Sequence, residues 1–229
     1  MIKFNNVKYT ESMDTLSIEI AKKGIHGIFC DDEAELKMLT DILTGARHCF
    51  VSEVLFVKEQ SEISVSECRS KIGCVLLDMP LYRDMTVEET LDFVGRAKCI
   101  EPDKRYRQIK EAISLLGIEQ IAKKQIGKLS TQNKARVATA QALLGNPDVI
   151  VFEEPTKNVD EFFAKEICEL INMLGKMKIV IILSSNGTFL CELCEDIFAI
   201  SKGSMTYCGE TDGFGVSLDV RLKESEEKQ

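Results

Sequence analysis

Three groups of residues have types and spacings that could do chemistry. The first lies in GIHGIFCDDEAELKMLTDILTG, Gly24 to Gly45, where an apolar run leads through a short polar loop into an amphipathic helix. A strand, loop and helix in that order hold phosphate when the loop carries glycines and a lysine, because loop N–H groups surround the phosphate oxygens and the lysine neutralises their charge. Here the loop carries Asp31, Asp32, Glu33, Glu35 and Leu36, followed by Lys37. The second group is Glu153-Glu154, two adjacent carboxylates after an apolar run, which can face a cation or be held by backbone and water. The third is Cys191-x-x-Cys194, a spacing used in metal and redox sites. A zinc site needs a second such pair or nearby histidines, and the sequence has only His26 and His48. Cys191 and Cys194 are therefore read as two thiols one turn apart on a helix.

The acids of the first group have a structural reading of their own. A helix N-terminus favours negative charge, and Asp32-x-x-Glu35 is spaced like a capping pair. The same charges oppose a phosphate. Two like charges about 5 Å apart repel by roughly 3 kcal/mol at an effective dielectric near 20. Several of them would offset much of the ~8 kcal/mol of micromolar binding. The loop reads as the start of a helix that caps itself.

Alternating strands and helices must position these groups. The β-branched and aromatic runs IKFNNVKY, TLSIEIA, IHGIFC, EVLFV and IGCVLL read as strands. A helix is expected from about Asp32 to Thr44, with Leu36, Leu39, Ile42 and Leu43 on one face and Gly45 as its stop. From Thr86 to about Leu144 the pattern is helical, opened by a Thr86-x-x-Glu89 capping box. DVIVFEEPT, a helix from about Asp160 to Leu174, the buried strand KIVIILSS and two strands around Lys202-Gly203 complete the order. The tail LKESEEKQ is charged and expected to fray. The pattern is an α/β core interrupted by a helical block.

The 229 residues, 45% hydrophobic and 29% charged, suit a globular protein with a sizeable core. A net charge of −8 without a basic cluster argues against nucleic acid, which needs a basic footprint. No apolar run reaches the roughly 18 residues of a membrane span, and MIKFNNVKYT does not resemble a signal peptide. No direct membrane insertion is expected. The nine cysteines, several in apolar segments (Cys30, Cys74, Cys168), read as reduced thiols of a cytosolic protein.

Over almost its whole length the chain resembles the nucleotide-binding domain of ATP-binding cassette (ABC) transporters. The segments LLGIEQIAKKQIGKLS, AQALLGNPDVIVFEEPTKNVD and IGCVLLDMPLYRDMTVEETL carry the likeness, at the family's signature approach, Walker B strand and glutamine loop. The resemblance implies a P-loop NTPase-like, RecA-type α/β core with an antiparallel β subdomain and a helical insertion. It implies one domain over 1–229: a core of 1–77 and 148–215, an insertion of about 78–147 and a tail of about 216–229. ATP and Mg²⁺ are the family's ligands. Laid on its G-x-x-G-x-G-K-[ST] loop without gaps, the glycines fall on Cys30, Glu33 and Glu35, the lysine on Leu36 and the hydroxyl on Lys37. A slip of one residue offers Lys37 as the phosphate lysine, with Met38 in place of the hydroxyl.

Other positions of the resemblance are altered as well. The γ-phosphate-sensing glutamine falls on Leu77, and the signature on Leu129-Ser130-Thr131-Gln132-Asn133, where Ser130 keeps its type and doubles as a helix cap. The switch histidine becomes Asn186, which carries no proton at neutral pH. Glu154 stands at the catalytic base and Glu153 where an aspartate would hold the Mg²⁺ shell. Tyr9 stands near where an aromatic would stack on adenine, and Asp160 in the dimer-contact loop. Scaffold positions such as Gly73, Pro80, Gly127, Pro147 and Pro155 are kept. Loss confined to chemistry implies a cytoplasmic subunit kept for its shape, peripheral to the membrane through a permease and paired as a homo- or heterodimer with another ABC domain. The competing expectations are a divergent ATPase working through Lys37 and Glu154, and a regulator unrelated to transport.

Overall fold

The computed structural model describes residues 1–9, 15–49, 51–58, 61–65, 67 and 69–214. The chain divides into two compact units, Met1–Cys68 with Cys168–Gln229, and Arg69–Ile167. The charged tail read from the sequence lies outside the described residues.

The first unit contains two sheets. One is antiparallel, with β1 (Ile2–Val7) between β2 (Leu16–Ile20) and β4 (Val54–Lys58), and with β5 (Ser61–Ser64) on the edge beyond β4. Ile2 faces Ile20 and Phe4 faces Ile18 across β1 and β2, so alternate residues enter one core face. The edge strand β5 has no counterpart in the sequence reading. Its residues are mostly exposed, and no buried periodicity marks them. The other sheet is built on β3 (Gly24–Phe29), which is buried throughout. Two parallel neighbours flank it: β8 (Ile179–Ser184), also buried throughout, and β9 (Asp196–Ser201). A strand covered on both faces reads as a continuous apolar run, which is the pattern of KIVIILSS. A turn at Lys202 and Gly203 returns the chain as β10 (Ser204–Glu210), antiparallel to β9. Helix α1 (Glu33–Leu43) follows β3 and buries Leu36, Leu39, Ile42 and Leu43. Helix α6 (Gly187–Leu193) follows β8. Cys191 lies in α6 and Cys194 is its C-cap, with its N–H closing the last turn onto the Leu190 carbonyl at 2.9 Å, so the two thiols stand one turn apart at the helix end. No disulfide joins the described cysteines.

In the second unit β6 (Ile72–Val75) runs parallel to β7 (Val149–Glu153). The run IGCVLL is a strand only to Val75, and Leu77 lies in the turn beyond it. The helical block forms α2 (Val87–Ala97), α3 (Pro102–Leu115) and α4 (Thr131–Leu143). The Thr86 capping box is complete: Glu89 N–H donates to Thr86 Oγ1 at 3.2 Å, and Thr86 N–H donates to Glu89 Oε2 at 2.8 Å. Asp92 accepts from Arg96 at 2.7 Å and from Arg105 at 2.6 Å, tying α2 to α3. Gly73 lets β6 approach α4 closely, since a Cβ there would lie 2.4 Å from the Ala142 carbonyl oxygen. Helix α5 (Glu161–Gly175) begins in this unit. Among the described residues, no helix is long and apolar enough to cross a membrane.

Candidate functional site

In the first unit the site residues gather at the start of α1. Only Cys30, Asp31 and Asp32 separate β3 from α1, so positions 33 and 35 are already helical. Asp32 is the N-cap in extended conformation (φ −92°, ψ 117°), and its carboxylate accepts from Glu35 N–H at 2.7 Å. Leu36 N–H closes the first turn onto the Asp32 carbonyl at 2.9 Å. The helix thus satisfies one of its leading N–H groups, that of Glu35, with its own acid.

The Asp32/Glu35 pair works in one direction only, because the Glu35 carboxylate turns elsewhere. It accepts from Tyr9 O–H at 2.5 Å, from Lys202 N–H at 2.9 Å and from Gly203 N–H at 2.5 Å, and Cys30 Sγ donates to it at 3.4 Å. Lys202 (φ 51°) and Gly203 (φ 76°) both have left-handed backbone. Successive N–H groups in such a turn form a small concavity that suits an anion, and Glu35 is that anion. Burial pushes the Tyr9 hydroxyl well above its ordinary pKa, and the bond to Glu35 adds to the effect. Burial likewise drives the Cys30 thiol up to about 12, against a smaller lowering by the Asp32 backbone, so Cys30 is a neutral thiol. Leu36 is core, and Lys37 pairs with Asp41 one turn along at 3.3 Å. Tyr9, Asp31, Asp32, Glu35, Lys202 and Gly203 contribute to the walls of a cleft of about 530 Å³. At the far end of β8, Asn186 caps α6: its Oδ1 accepts from Phe189 N–H at 3.0 Å, and its own N–H donates to Ser184 Oγ at 3.0 Å.

In the second unit Leu77, Glu153 and Glu154 share a cleft of about 630 Å³ with Thr131, Lys134 and Lys157. Glu153 is 5% exposed, and its Oε2 accepts from Leu77 N–H at 3.1 Å. Glu154 is 7% exposed and has left-handed backbone, φ 46°. Ser130 is the N-cap of α4 and accepts from Asn133 N–H at 3.3 Å. Asp160 Oδ1 accepts from Phe163 N–H at 2.8 Å at the start of α5, and its other oxygen accepts from Gln132.

The ABC transporter family model matches residues 38–157, more than half of the chain. The chain belongs to the ABC transporter family. The cassette is 34% identical over 176 residues to an ABC transporter ATP-binding protein of Pyrococcus horikoshii, covering 71% of this chain and 62% of that protein. It is 29% identical over 189 residues to the molybdenum import ATP-binding protein ModC of Mesorhizobium japonicum, covering 81% and 50%. The chain thus spans less than two thirds of the length of these relatives. In fold it is similar to CbiO1 of Clostridium perfringens, part of the ABC transporter complex CbiONQ, with a TM-score of 0.81 at 21% identity over 97% of this chain and 93% of that one. A bacterial ABC transporter cassette whose structure is dimeric gives a TM-score of 0.77 at 20% identity over 92% and 99%.

Two features of the cassette's site escaped the sequence reading. The Lys202-Gly203 turn was legible as a turn, yet nothing in the sequence pairs its N–H groups with an acid 167 residues earlier. The bond from Leu77 N–H to Glu153 was equally hidden, because the backbone donor has no side-chain signal. Among the described residues, no group of three or more His, Cys, Asp or Glu side chains is placed to hold a metal ion.

Proposed function

We infer that this chain is a cytoplasmic cassette subunit of an ABC transporter that docks on a membrane permease, pairs with another cassette, and neither binds nor hydrolyses ATP efficiently. It serves as one domain over its length, with residues of about 78–147 as the helical insertion. The observation that carries the reading is Glu35. At a position where the family has a glycine open to phosphate, a carboxylate is held by Tyr9 and by the Lys202 and Gly203 N–H groups. Around it the residues do not fit a triphosphate. Asp31, Asp32 and Glu33 add negative charge, Leu36 is buried in the lysine position, and Lys37 is engaged by Asp41. The Mg²⁺-shell position is filled by Glu153, whose longer arm reaches the Leu77 amide.

The docking half of the reading rests on the segment after Leu77. In the family this region receives a permease coupling helix. Here Tyr82 and Phe93 are exposed and stacked edge to face, with ring centres 5.1 Å apart, and Leu77 is exposed as well. Exposed aromatic anchors of this kind are the usual centres of protein interfaces. ModC is named as a molybdenum import protein and CbiO1 as part of a transporter complex, which makes transport the natural setting for this chain.

A second reading, a divergent ATPase, is favoured by one observation. Glu154 is buried in a left-handed conformation that is uncommon for a non-glycine residue and recurs at active sites. The two readings separate on Glu154→Gln. If the chain is silent, ATP turnover by its complex with a competent cassette is unchanged, within about twofold, by Glu154→Gln in this chain. A loss of about a hundredfold with ATP trapped would establish Glu154 as a base and the chain as an ATPase.

A further inference from the structure

We propose that Glu153 is a positioning residue that holds the permease-docking loop through the Leu77 amide, without nucleotide. The proposal rests on the docking role assigned above to the segment after Leu77. Leu77 is the first residue of the turn that follows β6, and the exposed pair Tyr82 and Phe93 lies just downstream. Its side chain is partly exposed while its N–H points inward to Glu153 Oε2, 3.1 Å away. Glu153 closes β7, which is buried throughout, and β7 is hydrogen-bonded in parallel register to β6, with Val75 opposite Phe152. The carboxylate therefore stands on a rigid strand and fixes the point where the neighbouring strand becomes a loop.

Side-chain length decides the contact. An aspartate at 153 would be one methylene, about 1.5 Å, short of the amide. It could not keep a 3.1 Å hydrogen bond without moving a buried strand. Glutamine keeps both the reach and an acceptor oxygen. In the family's pattern an aspartate here serves the Mg²⁺ shell and the residue at 77 senses the γ-phosphate. In this chain the same two positions are joined directly, so the loop's placement does not wait for a ligand.

Amide hydrogen exchange at Leu77 in the full chain tests this, for the unaltered protein, Glu153→Asp, Glu153→Gln and Glu153→Ala, each with and without MgATP. The expected result is a protected Leu77 amide in the unaltered protein, the same with and without MgATP. Glu153→Asp and Glu153→Ala raise its exchange about tenfold or more, and Glu153→Gln stays within about threefold. Exchange at Val151, inside β7, stays unchanged in Glu153→Asp and Glu153→Gln, which separates loop positioning from general loosening of the strand. If Glu153→Ala does not fold, the aspartate and glutamine variants alone decide. Equal exchange at Leu77 in Asp and Gln variants, or a parallel rise at Val151, would overturn the positioning role. A change at Leu77 on adding MgATP would overturn its independence from nucleotide. Failure of the docking reading has a different mark: substitution of Tyr82 and Phe93 by serine would leave permease binding intact while the Leu77 result stood.

Discussion

At the scale of single residues, buried or half-buried charge is what gives this molecule its particular character. Glu35 shows how one acid does two things: it closes an anion concavity and it ties α1 to the β9–β10 turn and to Tyr9. His26 is a second case. Its Nδ1 lies 2.7 Å from Asp196 Oδ1 and its Nε2 lies 3.0 Å from the Lys22 carbonyl oxygen. Two acceptors facing two ring nitrogens suit the doubly protonated imidazolium. Burial lowers the His26 pKa, but the Asp196 hydrogen bond and charge, the Lys22 carbonyl and Glu195 outweigh it, and the net shift is upward. A raised folded-state pKa stabilises fully below the unfolded value of about 6.5 and is lost as pH rises through the folded value. The unfolding free energy lost on Asp196→Asn should therefore be largest below about pH 6.5 and shrink as pH rises through the raised folded-state value, measured by urea unfolding. A loss that is constant across that range would contradict a charged His26.

At the scale of elements, close backbone approach is the feature most sensitive to change. In the second unit α4 lies so near β6 that a Cβ at Gly73 would meet the Ala142 carbonyl oxygen at 2.4 Å. Gly73→Ala should destabilise the protein by about 2 kcal/mol through overpacking, read as a lower urea midpoint with an unchanged slope. An unchanged midpoint would mean that α4 can retreat at little cost. This scale also shows what was legible in the sequence. The buried strands IHGIFC and KIVIILSS and the helix with Leu36, Leu39, Ile42 and Leu43 on one face were readable because burial imposes a continuous or a periodic apolar pattern. The Thr86 box and the cap at Ser130 were readable because capping is local in sequence. Edge strand β5 was not, since an exposed strand at a sheet edge has no apolar rhythm to mark it. The partners of Glu35 and Glu153 were not either, because they are backbone N–H groups brought near by folding alone.

At the scale of the whole molecule, the chain has the family and fold of an ABC cassette, and the proposed reading adds that its nucleotide positions carry unusual residues. The proposed role follows from that combination: a subunit kept for its docking surface and its pairing with another cassette. In a pair of cassettes the family's signature serves the partner's site, and in the proposed reading Thr131 and Gln132 stand at two of its glycines, with Gln132 bonded to Asp160. A dimer containing this chain is thus expected to have at most one productive nucleotide site. The most direct test of the central claim is equilibrium binding of MgATP to the purified chain by calorimetry, beside a competent cassette as control. A silent cassette gives no binding heat up to about millimolar MgATP, where a competent site would saturate. Saturable binding at micromolar MgATP would contradict that claim, and would mean that the start of α1 opens around Lys37 to make a nucleotide site after all.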